Sequence, residues 1–180
     1  SINSAFNILA LADGVTNSGT VRNILIKRNG KVLKTLDLYE FLMSPSVYSS
    51  AYLQDGDFIV VTSKAGVIHI KGEVKRNGYY EIKENESVSS LINYAGGFSA
   101  FADKKSVNII GALNNKRVFR SFNLNDLDSQ IIRDGDMLSV LKISDLIYGM
   151  LEVKGAVNIP GQYKFVPGMK VTDLLNASNG

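Results

Sequence analysis

One stretch of this sequence occurs twice, and the repetition constrains the fold more than any other feature. Residues 67–97, VIHIKGEVKRNGYYEIKENESVSSLINYAGG, are matched by residues 150–180, MLEVKGAVNIPGQYKFVPGMKVTDLLNASNG. Corresponding positions such as Tyr80 and Tyr163 lie 83 residues apart throughout, so the two stretches align without a gap. Apolar and small residues recur while polar ones differ, which is typical of a duplicated fold unit rather than of a duplicated active site.

Within this stretch, the residue pattern predicts two strands, a tight turn and a short helix. Apolar and polar residues alternate in the first strand, and Asn77-Gly78 favours a type I′ turn because both residues tolerate positive φ. Apolar residues at i, i+3, i+4 and i+7 then predict a helix that ends at Gly96-Gly97. The positions predicted to be buried are Ile68, Ile70, Val74, Leu151, Val153 and Val157, and those predicted to be exposed are His69, Lys71 and Lys154.

The rest of the chain carries similar patterns on both sides of the central stretch. On the N-terminal side, the sequence predicts a helix at 2–14 with Ala5, Ile8, Leu9 and Ala12 on one face. Strands around Asn29-Gly30, a helical turn at 36–42 and a strand within 53–61 follow it. On the C-terminal side, the predicted elements are strands at 106–112 and 117–122, a short segment at 124–127, and a strand within 131–140.

These elements predict an α+β chain built from three related repeats. Residues 1–62 are interpreted as the C-terminal part of a first repeat, residues 67–141 as a complete second repeat, and residues 150–180 as the N-terminal part of a third. The two partial repeats are each expected to expose apolar surface and strand edges. We therefore expect self-association in a domain-swapped manner through residues 150–180, with cover by the central repeat of the same chain as the alternative.

The composition argues against several classes of function. The chain has no cysteine, only one histidine and a net charge of +3, so disulfides and thiolate metal sites are excluded and no cofactor is expected. No apolar run approaches the roughly 20 residues of a membrane helix. Basic residues cluster near 27–34, 71–76 and 116–120, but aromatic residues are not interleaved with them. This pattern favours solvated strand faces over nucleic-acid binding and leaves attraction to an acidic polymer open.

Three features resemble functional motifs but favour a structural interpretation. The Asp-Gly-Asp sequences at 55–57 and 134–136 lack most ligands of a calcium loop, and Asp-Gly is a common turn pair. His69 has no partner that would make it catalytic. The glycines at 96–97 follow a helix, whereas those of a phosphate loop precede one. We therefore predict no catalytic, cofactor-binding or metal-binding residue and no enzyme activity, and the sequence identifies no ligand-binding residue.

The eight tyrosines fall into different predicted environments. Tyr80 and Tyr163 occupy equivalent positions and are expected at the edge of a core, with their hydroxyls hydrogen-bonded at the rim. The tyrosines predicted to be exposed are Tyr39, Tyr48, Tyr52 and Tyr79. Exposed aromatic rings can stack on sugar rings, although single exposed tyrosines are common on protein surfaces.

The central stretch resembles the SLBB domain, the soluble-ligand-binding β-grasp family. The resemblance rests on Gly72-Glu73-Val74, the turn at Asn77-Gly78, Tyr80 in the second strand, and a helix ending in Ala95-Gly96-Gly97. The C-terminal copy keeps a Pro160-Gly161 turn and Tyr163 but ends in Ala-Ser-Asn-Gly. The resemblance implies tandem β-grasp repeats, one complete and two partial, each with a small mixed sheet around one helix.

Tandem repeats of this kind are similar to those of bacterial polysaccharide export proteins. The resemblance implies a non-enzymatic module of a capsule or exopolysaccharide exporter, whose repeats build a periplasmic channel or scaffold. It implies a location in the periplasm of a Gram-negative bacterium, at the outer-membrane export machinery. The implied partners are the polysaccharide, further copies of the protein and an inner-membrane copolymerase or tyrosine kinase. The alternative is a stand-alone module that binds a carbohydrate or small ligand.

Overall fold

The computed structural model describes residues 4–45, 52–145 and 147–179. Residue contacts divide the chain into two compact units, Ser1–Ile143 and Ser144–Gly180, and each is described by itself. None of the helices in the described residues is long and apolar enough to span a membrane. Tyr48, predicted to be exposed, lies outside the described residues.

Strands make up most of the regular structure of the described residues. The strands are β1 (Gly19–Arg28), β2 (Lys31–Leu36), β3 (Phe58–Ser63), β4 (Gly66–Gly72), β5 (Gly78–Ile82), β6 (Ala102–Leu113), β7 (Lys116–Phe122), β8 (Met137–Lys142), β9 (Met150–Val153) and β10 (Gly161–Lys164). The helices are α1 (Ala5–Leu11), α2 (Leu38–Met43), α3 (Val88–Tyr94) and α4 (Val171–Ala177), with a 3-10 turn at Leu124–Asp126. The predicted α+β class is thereby confirmed.

The N-terminal part of the first unit is a three-stranded antiparallel sheet in the order β2-β1-β3. Asn29 and Gly30 both have positive φ, 50° and 75°, as the predicted type I′ turn between β1 and β2 requires. A small core forms where α1 lies on this sheet, with Ala5, Ile24 and Leu36 buried. The helix stripe is only partly buried, because Ile8 and Ala12 are exposed.

The central part of the first unit is a five-stranded mixed sheet packed against α3. Its order is β5-β4-β8-β6-β7, with β4 and β8 parallel and the other pairs antiparallel. Val88, Leu91 and Ile92 of α3 are buried against Ile68, Ile70 and other apolar residues of the sheet. One helix on one mixed sheet is compatible with the β-grasp fold that the sequence implied. Strand β6 begins earlier than predicted, at Ala102 rather than at residue 106.

Gly72 ends β4 at a position that only glycine fits. Its φ is 91°, and a Cβ atom there would lie 2.0 Å from the carbonyl oxygen of Val140. The close approach lets the neighbouring backbone N–H of Glu73 donate to the same oxygen at 2.9 Å. The first glycine of the Gly-x-Val motif therefore has a steric reason, since a side chain would separate β4 from β8.

The second unit has the element order of β4, β5 and α3, namely the hairpin of β9 and β10 followed by α4. Val153 is buried as predicted, whereas the prediction is wrong for Leu151 and Val157, which are half-buried. Leu151 and Val157 belong to a unit with only a two-stranded hairpin in its described residues. Ile68 and Val74 belong to the core of a five-stranded sheet, which covers them more completely. Helix α4 exposes 74% of Val171 and 40% of Leu175.

The predicted type I′ turn at Asn77-Gly78 is wrong, because Asn77 does not have a positive φ and Gly78, with a φ of 156°, already begins β5. Two further expectations concern side chains on the hairpins of the two repeated stretches. Tyr80 Oη donates to the Arg76 carbonyl at 2.7 Å, and Tyr163 Oη donates to the Ile159 carbonyl at 2.5 Å. Both hydroxyls are thus hydrogen-bonded at the rim, as predicted. The prediction that His69 is exposed is wrong, because its ring stacks on Tyr79 at 4.6 Å between centroids and is half-buried.

Candidate functional site

A buried arginine on β1 is the centre of the most polar region of the first unit. Arg22 lies on the inward face of the strand together with Thr20, Ile24 and Ile26. It is 1% exposed. Its Nη1 and Nη2 atoms donate to the two carboxylate oxygens of Glu86 at 2.5 and 2.8 Å. Nη1 also donates to the Glu81 carbonyl at 3.1 Å. The guanidinium therefore joins the N-terminal sheet to the turn before α3.

Asp37 completes the charge balance around Arg22. It accepts hydrogen bonds from Arg22 Nε and Nη2 at 3.3 and 3.2 Å and forms an ion pair with Lys83 Nζ at 2.5 Å. The same carboxylate caps α2 by accepting from the backbone N–H groups of Tyr39 and Glu40. One side chain thus fixes both the start of α2 and the guanidinium beside it.

The electrostatics of this region stabilise the charged forms of its members. Burial by itself would lower the pKa of Arg22, but hydrogen bonds with Glu86 and Asp37 outweigh it and raise that pKa above its ordinary value. Burial would raise the pKa of Asp37, yet hydrogen bonds from Lys83 and Arg22 hold that pKa below its ordinary value. Burial likewise opposes the charge of Lys83, but its bond to Asp37 raises the pKa of that ammonium group.

Glu81 makes a second set of contacts between the two sheets. Its carboxylate accepts a hydrogen bond from the Thr20 hydroxyl and another from the Val21 backbone N–H at 2.9 Å. Its own backbone N–H donates to the Tyr39 hydroxyl at 3.0 Å. We call the set Thr20, Arg22, Asp37, Tyr39, Glu81, Lys83, Glu86 and Tyr94 the ionic junction.

Two tyrosines enclose the Arg22 guanidinium. The centroids of the Tyr39 and Tyr94 rings each lie 4.6 Å from the central carbon of the guanidinium, within the range of cation–π contacts. The two rings meet edge to face at 5.2 Å, and Tyr39 also meets Tyr80 at 6.2 Å. The prediction that Tyr39 is exposed is wrong: it is half-buried, and burial raises the pKa of its hydroxyl.

An open cleft of about 390 Å³ lies on the other side of these tyrosines. One wall comes from α2 and the other from the hairpin turn before β5 and the end of α3. The residues that line it are Tyr39, Leu42, Met43, Arg76, Asn77, Gly78, Tyr79, Tyr80 and Tyr94, and we call it the tyrosine cleft. The cleft and the ionic junction share Tyr39 and Tyr94.

The two Asp-Gly-Asp sequences serve turns in the structure. Asp57 accepts from Arg28 Nε at 2.7 Å and from the Gln54 backbone N–H at 2.8 Å. At the equivalent position, Asp136 accepts from Arg120 Nη2 at 2.9 Å and from a backbone N–H of its own turn. Among the residues that the structure describes, no group of three His, Cys, Asp or Glu side chains is arranged to hold a metal ion.

Residues 67–117 match the family model of the SLBB domain. This part of the chain is similar to an SLBB domain. The matched residues run from β4 to the start of β7 and include the Arg76–Tyr80 wall of the tyrosine cleft, Glu81 and Glu86. A search of curated proteins finds no match to the chain.

The match confirms, for this part of the chain, the resemblance stated from the motifs at 72–97. The SLBB family is a family of binding domains. Arg22, Asp37 and Tyr39 lie outside the matched residues. The residues of the ionic junction were missed by sequence reasoning. Their one signal was the position of Arg22 in an alternating strand, where it occupies the same face as Ile24 and Ile26.

Proposed function

We propose that the chain is a non-enzymatic structural and interaction module of a polysaccharide export protein. In this function, consecutive β-grasp repeats are joined into a rigid part of a periplasmic channel or scaffold. The observation that carries the proposal is the ionic junction, which connects the N-terminal sheet to the SLBB domain through Arg22, Asp37 and Glu86. A scaffold needs a fixed connection between its repeats. Two repeats that act independently of each other could be joined by a flexible linker instead.

The junction suits a role in fixing geometry more than one in adding stability. Moving charged groups out of water costs several kcal/mol for each ion, and the attraction between them largely offsets that cost. The net gain in stability is therefore small. The geometry, by contrast, is demanding, because a shift of about an ångström would break the paired hydrogen bonds between Arg22 and Glu86. Such a cluster selects one arrangement of the two sheets.

The tyrosine cleft supports the non-enzymatic part of the proposal. Among the described residues that line it, Arg76 is the one charged side chain, and the other polar side chains are those of the tyrosines and Asn77. Acid–base or nucleophilic catalysis needs a positioned pair of proton-transferring or nucleophilic groups. The cleft supplies surfaces for binding instead.

The proposed location is the periplasm, at outer-membrane export machinery, with an inner-membrane copolymerase or kinase as a partner. The test is to delete the gene in its own bacterium and to restore it with wild-type, Arg22→Met or Arg117→Met protein. Deletion is expected to trap polysaccharide in the periplasm and to remove it from the cell surface. Arg22→Met is expected to restore less surface polysaccharide than the exposed control Arg117→Met. Unchanged surface polysaccharide after deletion would contradict the proposal.

The second candidate function is a module that binds a carbohydrate or small ligand by itself. The tyrosine cleft favours this candidate, because aromatic walls with a few placed polar groups are typical of ligand sites. The two candidates differ in their dependence on assembly. A stand-alone binding module acts as a monomer, whereas a scaffold module appears within a larger particle when the full-length protein is imaged by electron microscopy.

A further inference from the structure

We propose that the tyrosine cleft binds an acidic saccharide, with a sugar ring against the tyrosines and a carboxylate on Arg76. This inference deepens the proposed carbohydrate-related function and rests on it only for the general class of ligand. The site and the charge of the ligand are argued from the structure. Arg76 would bind the carboxylate, and Tyr80 and Tyr94 would contact the sugar ring.

Arg76 is held in place before any ligand arrives. Its Nη2 atom donates to the Tyr94 carbonyl at 2.7 Å, and its backbone N–H donates to the Ala95 carbonyl at 2.9 Å. Its own carbonyl accepts from the Tyr80 hydroxyl at 2.7 Å. A guanidinium has five N–H donors, so donors remain for a ligand. A fixed side chain loses little entropy when it binds, which favours recognition.

The aromatic walls of the cleft are also ordered by their neighbours. Tyr94 is positioned by its contact with the Arg22 guanidinium and by its edge-to-face contact with Tyr39. Tyr80 is positioned by its hydroxyl bond and by its edge-to-face contact with Tyr39. Tyrosine rings provide apolar faces with polar edges, which suits a sugar ring that has both C–H faces and hydroxyl groups.

The charge of the cleft indicates an anionic ligand. Arg76 is the one charged side chain among the described residues that line it. The carboxylates of the adjoining ionic junction include Asp37 and Glu86. Both are paired with cations, Asp37 with Arg22 and Lys83, and Glu86 with Arg22. A guanidinium binds a carboxylate through two parallel hydrogen bonds, and a lysine would give only a point charge. A sugar that carries a carboxylate therefore fits this cleft better than a neutral one.

The cleft also depends on both parts of the first unit. Tyr39, Leu42 and Met43 come from α2, outside the matched SLBB residues, whereas Arg76 and Tyr79 come from the SLBB domain. Arg22 connects these walls, because it contacts Tyr39 and Tyr94 and pairs with Asp37 at the start of α2. The ligand site is thus a product of the ionic junction.

The test uses titration calorimetry of the full chain with trigalacturonate and, separately, with the neutral maltotriose. Trigalacturonate is expected to bind and maltotriose to bind at least about tenfold more weakly, since the bond to a charged group is lost. Arg76→Gln is expected to weaken trigalacturonate binding about tenfold or more and to remove the difference between the two sugars. Arg76→Lys should weaken it less, and Tyr80→Ser should weaken both sugars.

Matched variants elsewhere on the surface serve as controls. Arg117→Gln removes an exposed arginine from β7, and Tyr148→Ser removes an 85% exposed tyrosine, so neither should change the affinity. Circular dichroism of Arg76→Gln and Tyr80→Ser verifies that each variant is folded. The inference is overturned if trigalacturonate does not bind at millimolar concentration. It is equally overturned if Arg76→Gln binds like the wild type or if maltotriose binds as tightly as trigalacturonate.

The outcome is separable from that of the export experiment. If export depends on the gene but trigalacturonate does not bind, only the cleft assignment fails. If trigalacturonate binds through Arg76 but deletion leaves surface polysaccharide unchanged, the export function fails and the binding site stands.

Discussion

Arg22 shows how strongly one side chain can depend on the rest of the molecule. Its guanidinium is buried and balanced by Asp37 and Glu86, so its removal takes the cation from Glu86 and one of two cations, Arg22 and Lys83, from Asp37. We expect Arg22→Met to reduce the free energy of unfolding by about 3–5 kcal/mol. Urea titration monitored by circular dichroism measures this loss. The exposed variant Arg117→Met should change stability by less than about 0.5 kcal/mol. A similarly small loss for Arg22→Met would contradict the proposed importance of the junction.

Asp57 predicts how stability responds to acid. Its hydrogen bond with Arg28 lowers the pKa of the carboxyl group from 3.8 to about 2. A carboxyl group with a lowered pKa in the folded state stabilises the fold above its unfolded pKa and ceases to do so as the pH falls through the folded pKa. Stability should therefore decline between about pH 4 and pH 2, and Asp37 contributes in the same direction.

The variant Asp57→Asn tests this assignment. It should be less stable than the wild type at pH 7, and its stability should fall less steeply between about pH 4 and pH 2, because one linked proton is removed. Denaturant midpoints measured across this range give the comparison. Asp55→Asn, at an exposed position of the same turn, is the matched control. An equal slope for Asp57→Asn and the wild type would exclude a role for this carboxylate.

At the scale of elements, helix α3 supplies the centre of the core, whereas the 3-10 turn lies at the surface. Leu91 of α3 is 0% exposed within the central core, whereas Leu124 in the 3-10 turn is 46% exposed. We expect Leu91→Ala to cost about 2–5 kcal/mol, since it leaves a cavity among residues that cannot fully close it. Leu124→Ala should cost much less. Denaturant titration of both variants measures the difference, and a loss below about half a kilocalorie for Leu91→Ala would place that residue at the surface.

Strand edges are the second feature at this scale. Within the described residues, β3 pairs only with β1, and β9 pairs only with β10. In the central sheet, residues 69–72 pair in parallel with residues 137–140. If the same register is applied to the equivalent positions, residues 152–155 lie beside residues 58–61. Phe58 on that edge is 67% exposed. Each of these edges can accept a further strand.

At the scale of the whole molecule, we propose that these edges meet between two copies of the chain. The hairpin of β9 and β10 from one molecule would add to β3 of another, leaving α4 outside because α1 already covers the N-terminal sheet. Light scattering at micromolar concentration is expected to show a dimer or larger species that dissociates when residues 150–180 are deleted. Phe119→Ser, on the exposed face of β7, should leave the assembly intact. A monomer whose residues 150–180 resist proteolysis would contradict this proposal.

The ionic junction is also specific to one place in the molecule. At the positions 83 residues further on, Lys105 replaces Arg22, Met169 replaces Glu86 and Lys164 replaces Glu81. The charged residues Arg22, Glu81 and Glu86 are therefore not repeated at the equivalent positions.

The sequence by itself determined the local elements of this protein. Alternating apolar residues, the Asn29-Gly30 turn and the spacing of Val88, Leu91 and Ile92 each specify structure through contacts within a few residues. The turn chemistry of Asp57 and Asp136, whose carboxylates accept from backbone N–H groups three residues earlier, belongs to the same level. These signals, together with the motifs at 72–97, were sufficient for the fold class and the SLBB resemblance.

Only the tertiary structure decided where the candidate site lies. Arg22 and Glu86 are 64 residues apart in sequence, and Tyr39 and Tyr94 meet the same guanidinium from different elements. Neither pairing leaves a local pattern, because a buried ion pair depends on two distant side chains reaching one low-dielectric place. His69 and Tyr39 were predicted to be exposed for the same reason. Strand alternation assigns a side chain to a face, but the packing of other elements decides what covers that face.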